Sequence, residues 1–359
     1  MLRHSHDSEP GYTRKRIGDH WAYFDEDGER VTDRDEIDRL NSLALPPAYE
    51  DAWYCKDCNG HVQATGKDAR GRKQYRYHAD YRLQRDASKY DGCREFGAAL
   101  PRIRRRVEAD LKRRKLDRNT VLAAVVRLLD TEHMRIGNEQ YARANKSFGL
   151  STLRSRHVVR KNGRLKMRYT GKHGIVHEAT ITDSNLKRIV SKCQELPGQM
   201  LFQYINGDGE PKPITSGDVN EYIKEATGGD FTAKHFRTWS ASVIALEQLL
   251  KKAENARISV KTVVEPVAEA LGNTPAISRR SYVHPQLLEA VKEDARDPLN
   301  GMERPRGRKR LASAEVALLE FLARGGKRSR RRKPRPDEQA ASEAAVREQA
   351  AAQEKQAAA

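Results

Sequence analysis

Apolar residues follow two different rhythms along this chain. From residue 20 to about residue 80 they come in short, aromatic-rich runs broken by turn signals; in WAYFDEDGERVTD the pair Asp27-Gly28 separates two strand-like runs. GHVQATG and KQYRYH read as further strands, and Arg34 to Leu43 as one short helix. After Cys93 the recurrence shifts to every third and fourth residue, in FGAALPRIRRRVEADLKRR and then in NTVLAAVVRLLDTEHMRIG, where Asn119 or Thr120 is placed to cap a helix. One segment inside this helical part alternates instead. In GRLKMRYTGKHGIVHEATITD, Leu165, Met167 and Tyr169 share one face, as do Ile175, His177, Ala179 and Ile181, which predicts a β-hairpin with Lys172 at its glycine-bounded tip. Helical patterns resume in NLKRIVSKCQEL, TSGDVNEYIKEAT, FRTWSASVIALEQLL and VKTVVEPVAEALG. Past residue 300 the chain runs into RGGKRSRRRKPR, eight basic residues in twelve, and an Ala/Gln/Glu-rich end with no apolar pattern. The patterning predicts an α+β protein: a small β-rich domain over residues 1–88, a larger, mostly α-helical domain carrying the hairpin over 89–298, and a disordered tail over 299–359.

Composition narrows the partners. Lys and Arg number 68 against 50 Asp and Glu, a formal charge of +18, and such a field attracts polyanions, nucleic acid first. No helical pattern combines a basic face with a bulky apolar one, so a membrane-surface role is not expected. The longest aliphatic run, VLAAVV at 121–126, is far shorter than the roughly 18 residues of a membrane span. Four cysteines, at 55, 58, 93 and 193, and no apolar leader point to a reducing cytoplasm. Cys55-Lys-Asp-Cys58 has zinc-knuckle spacing but no second pair, and only His61 and His78 lie nearby, so no metal is expected.

Two groups of residues carry candidate chemistry. GKDARGRKQYRYH, 66–78, interleaves Lys67, Arg70, Arg72, Lys73 and Arg76 with Tyr75 and Tyr77. In an extended strand Gln74 and Arg76 face one way and the tyrosines the other; cations there hold phosphates and a glutamine reads a base edge. The second group is dispersed: Arg135, Lys172, Lys234, Arg237, Asn273 and Tyr282. Taken singly, each is the kind of residue found on any surface, but together they suit one reaction. A tyrosine oxygen attacking a DNA phosphodiester in line builds charge on the non-bridging oxygens and then on the departing 5′ oxygen. Two guanidiniums, Arg135 and Arg237, clamp the first charge; Asn273 donates one more hydrogen bond, and Lys172 on its loop protonates the leaving oxygen. The sequence assigns no acceptor for the tyrosine's own proton, and His284 reads as a turn residue.

At these residues the chain resembles a known family. EHMRIGNEQYA, YTGKHG, KHFRTW and LGNTPAISRRSYVHP are similar, in order and rough spacing, to the catalytic segments of type IB DNA topoisomerases of the compact bacterial and poxvirus kind, and the resemblance runs from QATGKDARGRKQYRYH to about residue 295. It implies the catalytic fold shared by tyrosine recombinases and topoisomerases IB, with a β-rich domain and a helical domain gripping opposite faces of duplex DNA. It also implies Tyr282 as the nucleophile of a 3′-phosphotyrosyl link, Arg135 and Arg237 as transition-state ligands, Lys172 as general acid and Lys234 as an auxiliary. Gln74, Tyr75, Tyr77 and Tyr141 match positions that touch DNA. The activity implied is relaxation of positive and negative supercoils with no ATP, metal or other cofactor, by a monomer acting on double-stranded DNA in the cytoplasm, at the nucleoid. Position 273 departs from the pattern: it is Asn where poxvirus and eukaryotic-type members carry His, and Asn donates a hydrogen bond without titrating. Tyrosine recombinases share most of these features but carry His-x-x-Arg where this chain has Lys234-His235-Phe236-Arg237. A basic architectural DNA-binding protein would explain the charge but would not require Tyr282.

Overall fold

The computed structural model describes residues 2–69, 71–161, 164–251, 258–292 and 305–329. The chain divides into two compact units, one built on Met1–Lys89 and the other on Tyr90–Arg331. The first is an antiparallel five-stranded sheet of order β2-β1-β3-β4-β5, from β1 (Gly11–Ile17), β2 (His20–Phe24), β3 (Glu50–Cys55), β4 (Val62–Lys67) and β5 (Lys73–Tyr77). Helix α1 (Arg34–Ser42) starts at Asp33, whose carboxylate accepts from Asp35 N at 3.0 Å, and places Leu40 in a core with Tyr23, Leu45, Tyr54 and Ala64. Helix α2 (Ala79–Ser88) comes after β5.

The aromatic runs thus form strands, with one correction. Asp27-Gly28 makes a turn, Gly28 at φ +85°, but the chain beyond it returns only as an isolated Phe24–Arg30 bridge; the strand paired with β2 is β1, upstream. β1 escapes a hydrophobic pattern because its partly buried positions include Arg14. That guanidinium donates to the carbonyls of Leu45 and Tyr49 at 2.7 and 3.1 Å and lies 4.2 Å from the Trp21 ring centroid.

The second unit is organised around α4 (Arg118–Thr131), preceded by α3 (Cys93–Leu111). Every α4 residue from Thr120 to Val126 is buried, as are Leu128 and Leu129; a helix apolar on all sides is a core helix. Its cap is Asp117, not Asn119 or Thr120: the Asp117 carboxylate accepts from Thr120 N at 2.9 Å, because the helix begins ahead of its apolar run. Next come α5 (Glu139–Asn145) and a three-stranded sheet of β6 (Val158–Lys161), β7 (Arg164–Thr170) and β8 (Val176–Ile181). β7 and β8 form the expected hairpin, with Leu165, Met167 and Tyr169 buried and Lys172 at the tip. The chain continues through α6 (Ser184–Gln194), the short pair β9 (Gln203–Ile205) and β10 (Pro211–Pro213), α7 (Ser216–Thr227), α8 (Ala233–Lys251), α9 (Val260–Leu271), α10 (Pro275–Ser281) and α11 (Pro285–Lys292). α3 meets α8 so closely that a Cβ on Gly97 would lie 2.1 Å from the Trp239 indole, which reserves that position for glycine.

The expectation of a featureless tail from 299 is overturned over part of its length. Residues Ser313–Ser329 form α12, which buries Ala314, Val316, Ala317, Leu318, Phe321 and Leu322. Its apolar stripe precedes the arginine run and is masked by it in a composition reading. Glu315 anchors the helix: it receives Arg104 Nη1 at 2.7 Å and Trp239 Nε1 at 3.0 Å, while the same guanidinium grips Asp130 at 2.8 Å. Residues from 330 onward, including the rest of the basic block, lie outside the described residues. Among the described residues no helix is long and apolar enough to cross a membrane.

Glu315 is buried, which by itself would raise its pKa, but Arg104, Ala312 N and Trp239 together hold it below the ordinary carboxylate value. The carboxylate's contribution to stability is therefore full above about pH 4.3, the unfolded value, and is lost as pH falls through the lower native one. Replacing it with Ala strands part of a buried guanidinium and should cost about 3 kcal/mol in denaturant unfolding. An unchanged midpoint would mean that α12 does not brace this unit.

Candidate active site

Arg237 sits one turn into α8, 4% exposed, and two backbone carbonyls hold its guanidinium. Nη1 donates to His133 O, and Nη2 to Leu271 O at 2.9 Å. Both acceptors come from helix ends: His133 lies just past α4 in the left-handed region at φ +51°, and Leu271 is the last residue of α9. The final carbonyls of a helix lack intrahelical donors and carry the negative end of its dipole, so a guanidinium there satisfies both. Gly272 then takes φ +58°, a conformation costly for any residue with a Cβ, and turns the chain so that Asn273 N bonds back to Ala268 O at 2.9 Å. Thr274 caps α10 with Pro275 at its first turn, and Tyr282 ends that helix, its N–H reaching Ser278 O at 3.1 Å. Fully buried Val283 pins the next residue in the core. Gly272, Thr274 and Pro275 thus break LGNTPAISRRSYVHP into turns that hold Asn273 and Tyr282 at the two ends of α10.

These turns bring four of the predicted residues together. Arg135, in the loop after α4, donates Nη2 to Asn273 Oδ1. The Asn273 Nδ2 is buried and finds no acceptor among the described residues. The Arg237 Cζ lies 4.9 Å from the Tyr282 ring centroid. Among the described residues neither Arg135 nor Arg237 pairs with a carboxylate. Burial first, and then the Arg135 charge, bring Arg237 down to about 10, well below the ordinary arginine range. Burial alone would raise the Tyr282 phenol, but the charges of Arg237 and Arg135 and hydrogen bonding from both outweigh it and lower its pKa. Two cations, an unused amide donor and a phenol of lowered pKa converge on one half-buried spot, an arrangement able to hold an oxyanion beside that phenol.

The two lysines stand apart. Lys172 is exposed at the hairpin tip and Lys234 is exposed on the first turn of α8, three residues from Arg237 and so on the same helical side. Among the described residues neither makes a hydrogen bond or ion pair. His284 is indeed a turn residue: its N–H meets Ser242 Oγ at 3.1 Å, its Nδ1 accepts from Gln286 N at 3.3 Å, and burial holds it at about 4. Sequence reading missed His133, which acts through its carbonyl and so leaves no side-chain signal. It also missed Tyr169 and His177, stacked across the hairpin at 5.3 Å, though a histidine in the inward phase of an apolar alternation was a signal available to it.

In the first unit, β5 presents Tyr75 and Tyr77 at 45% and 39% exposure, nearly parallel rings 5.9 Å apart, with the Lys73 ammonium 5.8 Å from the Tyr75 ring. Gln74 and Arg76 take the other face, as the alternation requires; Gln74 Nε2 is bonded to Asp68 at 3.0 Å and Arg76 to Ala44 O at 2.7 Å. Lys67 pairs with Asp51 at 2.6 Å, and Lys73 with Asp7. Arg70 and the side chain of Tyr141 lie outside the described residues. Cys55 is buried and Cys58 exposed, both as free thiols.

Comparison with known proteins reaches both units. Residues 73–303 match the family model described as eukaryotic DNA topoisomerase I, catalytic core, and residues 20–68 match that of the bacterial DNA topoisomerase IB N-terminal domain. The chain is 32% identical to DNA topoisomerase 1B of Acanthamoeba polyphaga mimivirus over 297 residues, 79% of this chain and 88% of that protein. It is 23% identical to DNA topoisomerase 1B of vaccinia virus (strain Copenhagen) over 299 residues, 76% of this chain and 90% of that protein. To DNA topoisomerase 1 of Mycosarcoma maydis it is 24% identical over 221 residues, 56% of this chain and 21% of that longer protein.

Because two guanidiniums lower the Tyr282 phenol, its ultraviolet phenolate signal should appear below the ordinary tyrosine range near pH 10 and vanish in Tyr282→Phe. Arg135→Ala should move that early phase to higher pH. Superimposable titrations of the parent protein and Tyr282→Phe would contradict this electrostatic picture.

Proposed function

Because the chain belongs to the type IB DNA topoisomerase family, we propose that Tyr282, Arg135, Arg237, Asn273 and Lys172 are the residues with which it cuts and reseals DNA. The enzyme nicks one strand of a duplex through a transient 3′-phosphotyrosyl link, lets the strand rotate to relax positive or negative supercoils, and religates without ATP. The observation that carries the residue assignment is the approach of Arg237, an unneutralised buried cation, to the Tyr282 ring, with Arg135 acting on the same phenol.

In the forward step the Tyr282 Oη–phosphorus bond forms as the phosphorus–O5′ bond breaks. The lowered phenol pKa eases loss of its proton, which passes to solvent water and is taken back from it when religation expels the phenolate. Arg135 and Arg237 hold the non-bridging oxygens, and the free Nδ2 of Asn273 donates to one of them. Lys172, exposed at the hairpin tip, delivers a proton to O5′, and Lys234 adds charge beside Arg237. Religation is the reverse: the 5′ hydroxyl attacks phosphorus, returns its proton to Lys172 and expels the tyrosine. The bond energy stays in the phosphotyrosine throughout, so neither step draws on a nucleotide. In the first unit, Tyr75 and Tyr77 of β5 offer flat apolar faces to DNA, and Lys67, Arg70, Lys73 and Gln74 add polar contacts; Tyr141, in the second unit, is a separate DNA-touching position. One chain carries the whole set, so it acts as a monomer on nucleoid DNA.

Tyr282→Phe should abolish plasmid relaxation while duplex binding persists; residual relaxation would remove Tyr282 as the nucleophile. Relaxation should also proceed in excess EDTA without nucleotide, and activity that returned only with magnesium would contradict the route described. Lys172→Ala should slow cleavage by about 10²-fold or more, with recovery on a substrate bearing a more acidic 5′ leaving group. Equal slowing on both substrates would exclude Lys172 as the acid.

A further inference from the structure

His177 has no part in the chemistry of cleavage, yet it occupies a place between two parts of the site. It lies on β8, directly opposite Tyr169 of β7, and the two rings stack at 5.3 Å with an interplanar angle of 18°. Tyr169 is buried and gives the imidazole a fixed floor. The ring then fills the space that a side chain would need at two glycines. A Cβ on Gly171 would lie 2.6 Å from His177 Cδ2, and a Cβ on Gly272 would lie 2.6 Å from His177 Cε1. Gly171 is the residue before Lys172, and Gly272 the residue before Asn273. One imidazole thus touches the backbone immediately ahead of two site residues that are far apart in sequence.

We propose that His177 is a positioning residue that joins the Lys172 hairpin tip to the segment carrying Asn273 and Tyr282. The inference rests on the reading of Lys172 as the leaving-group acid. The hairpin has few other ties at this end: Phe148 N meets Thr170 O at 2.8 Å at the end of β7, and beyond it Gly171 N bonds within the tip to Ile175 O at 2.7 Å. Among the described residues the His177 ring nitrogens make no hydrogen bond, so its action is through shape. Burial, followed by the charges of Arg135 and Arg237, holds it below its ordinary pKa, so it stays uncharged at neutral pH and adds no third cation. Both glycines are required because the wedge leaves no room for a side chain on either side. A shift of the tip moves the Lys172 ammonium relative to O5′, and proton transfer tolerates little displacement.

A double-mutant cycle on single-turnover cleavage tests this, using the full-length chain and a duplex cleaved at one site. His177→Ala should slow cleavage by about 10²-fold, with duplex binding and melting temperature held near those of the parent. The pair His177→Ala/Lys172→Ala should be no slower than Lys172→Ala alone, and the His177→Ala defect should largely disappear on the more acidic leaving group. Multiplied effects in the double variant, or equal slowing on both substrates, would overturn the proposal. Should His177→Ala lose its fold, His177→Asn is carried through the same comparison. If Lys172→Ala cleaves at the parental rate, the reading of Lys172 fails and this inference with it. If Lys172→Ala is slow and rescued but the His177 variant is not, only the inference fails.

Discussion

A guanidinium buried without a counter-ion is the constraint on which the rest of the catalytic unit depends. Arg237 is almost wholly enclosed, lies near a second arginine, and is held by two carbonyls rather than by a carboxylate. Such a charge is costly to bury, and the cost appears in its own lowered pKa. Three features of the fold make it tolerable. α4 is followed by the left-handed His133, whose carbonyl meets the guanidinium, α9 ends at Leu271 with another carbonyl facing it, and α8 is braced from the far side by Trp239 against Gly97 and Glu315. The helical packing is thus arranged around a place where positive charge is kept unsatisfied.

In the proposed reaction, that deficit is what the chemistry uses. A carboxylate partner would neutralise Arg237 and leave nothing for a phosphate; carbonyls orient it without cancelling its charge. The same field acts on Tyr282, where two cations overcome the effect of burial and make the phenol a better leaving and attacking group. Asn273 fits this scheme because it serves two partners: its oxygen is taken by Arg135, which fixes the amide and leaves Nδ2 as a donor. Asn273 cannot change charge with pH, so the cationic balance of this spot rests on Arg135 and Arg237.

Much of this was legible in the sequence, for reasons that can be named. Tyr282 stood out because it completes a dispersed set of residues suited to one reaction and lies in the last of four segments in a recognisable order. The hairpin was legible because Leu165, Met167 and Tyr169 alternate, and period two has one structural meaning. What stayed hidden depends on backbone or on contacts distant in sequence. The carbonyls of His133 and Leu271 have no residue-type signature. β1 hides its pairing behind Arg14, and α12 hides its apolar stripe ahead of an arginine run. Asp117 is invisible as the α4 cap in the apolar pattern because the helix begins ahead of its apolar run. His177 needed the spatial meeting of Gly171 and Gly272, which no local pattern contains.

The central claim is that Arg135 and Arg237 prepare one phenol, that of Tyr282, to take a strand's 3′ phosphate. The most direct measurement is to trap the covalent complex by denaturing a cleavage reaction, digest it, and sequence the modified peptide and the attached DNA end. The account predicts a single adduct on Tyr282, in the peptide beginning after Arg280, joined through a 3′ phosphate with a free 5′ hydroxyl on the other fragment. An adduct on any other residue, or attachment through a 5′ phosphate, would contradict it.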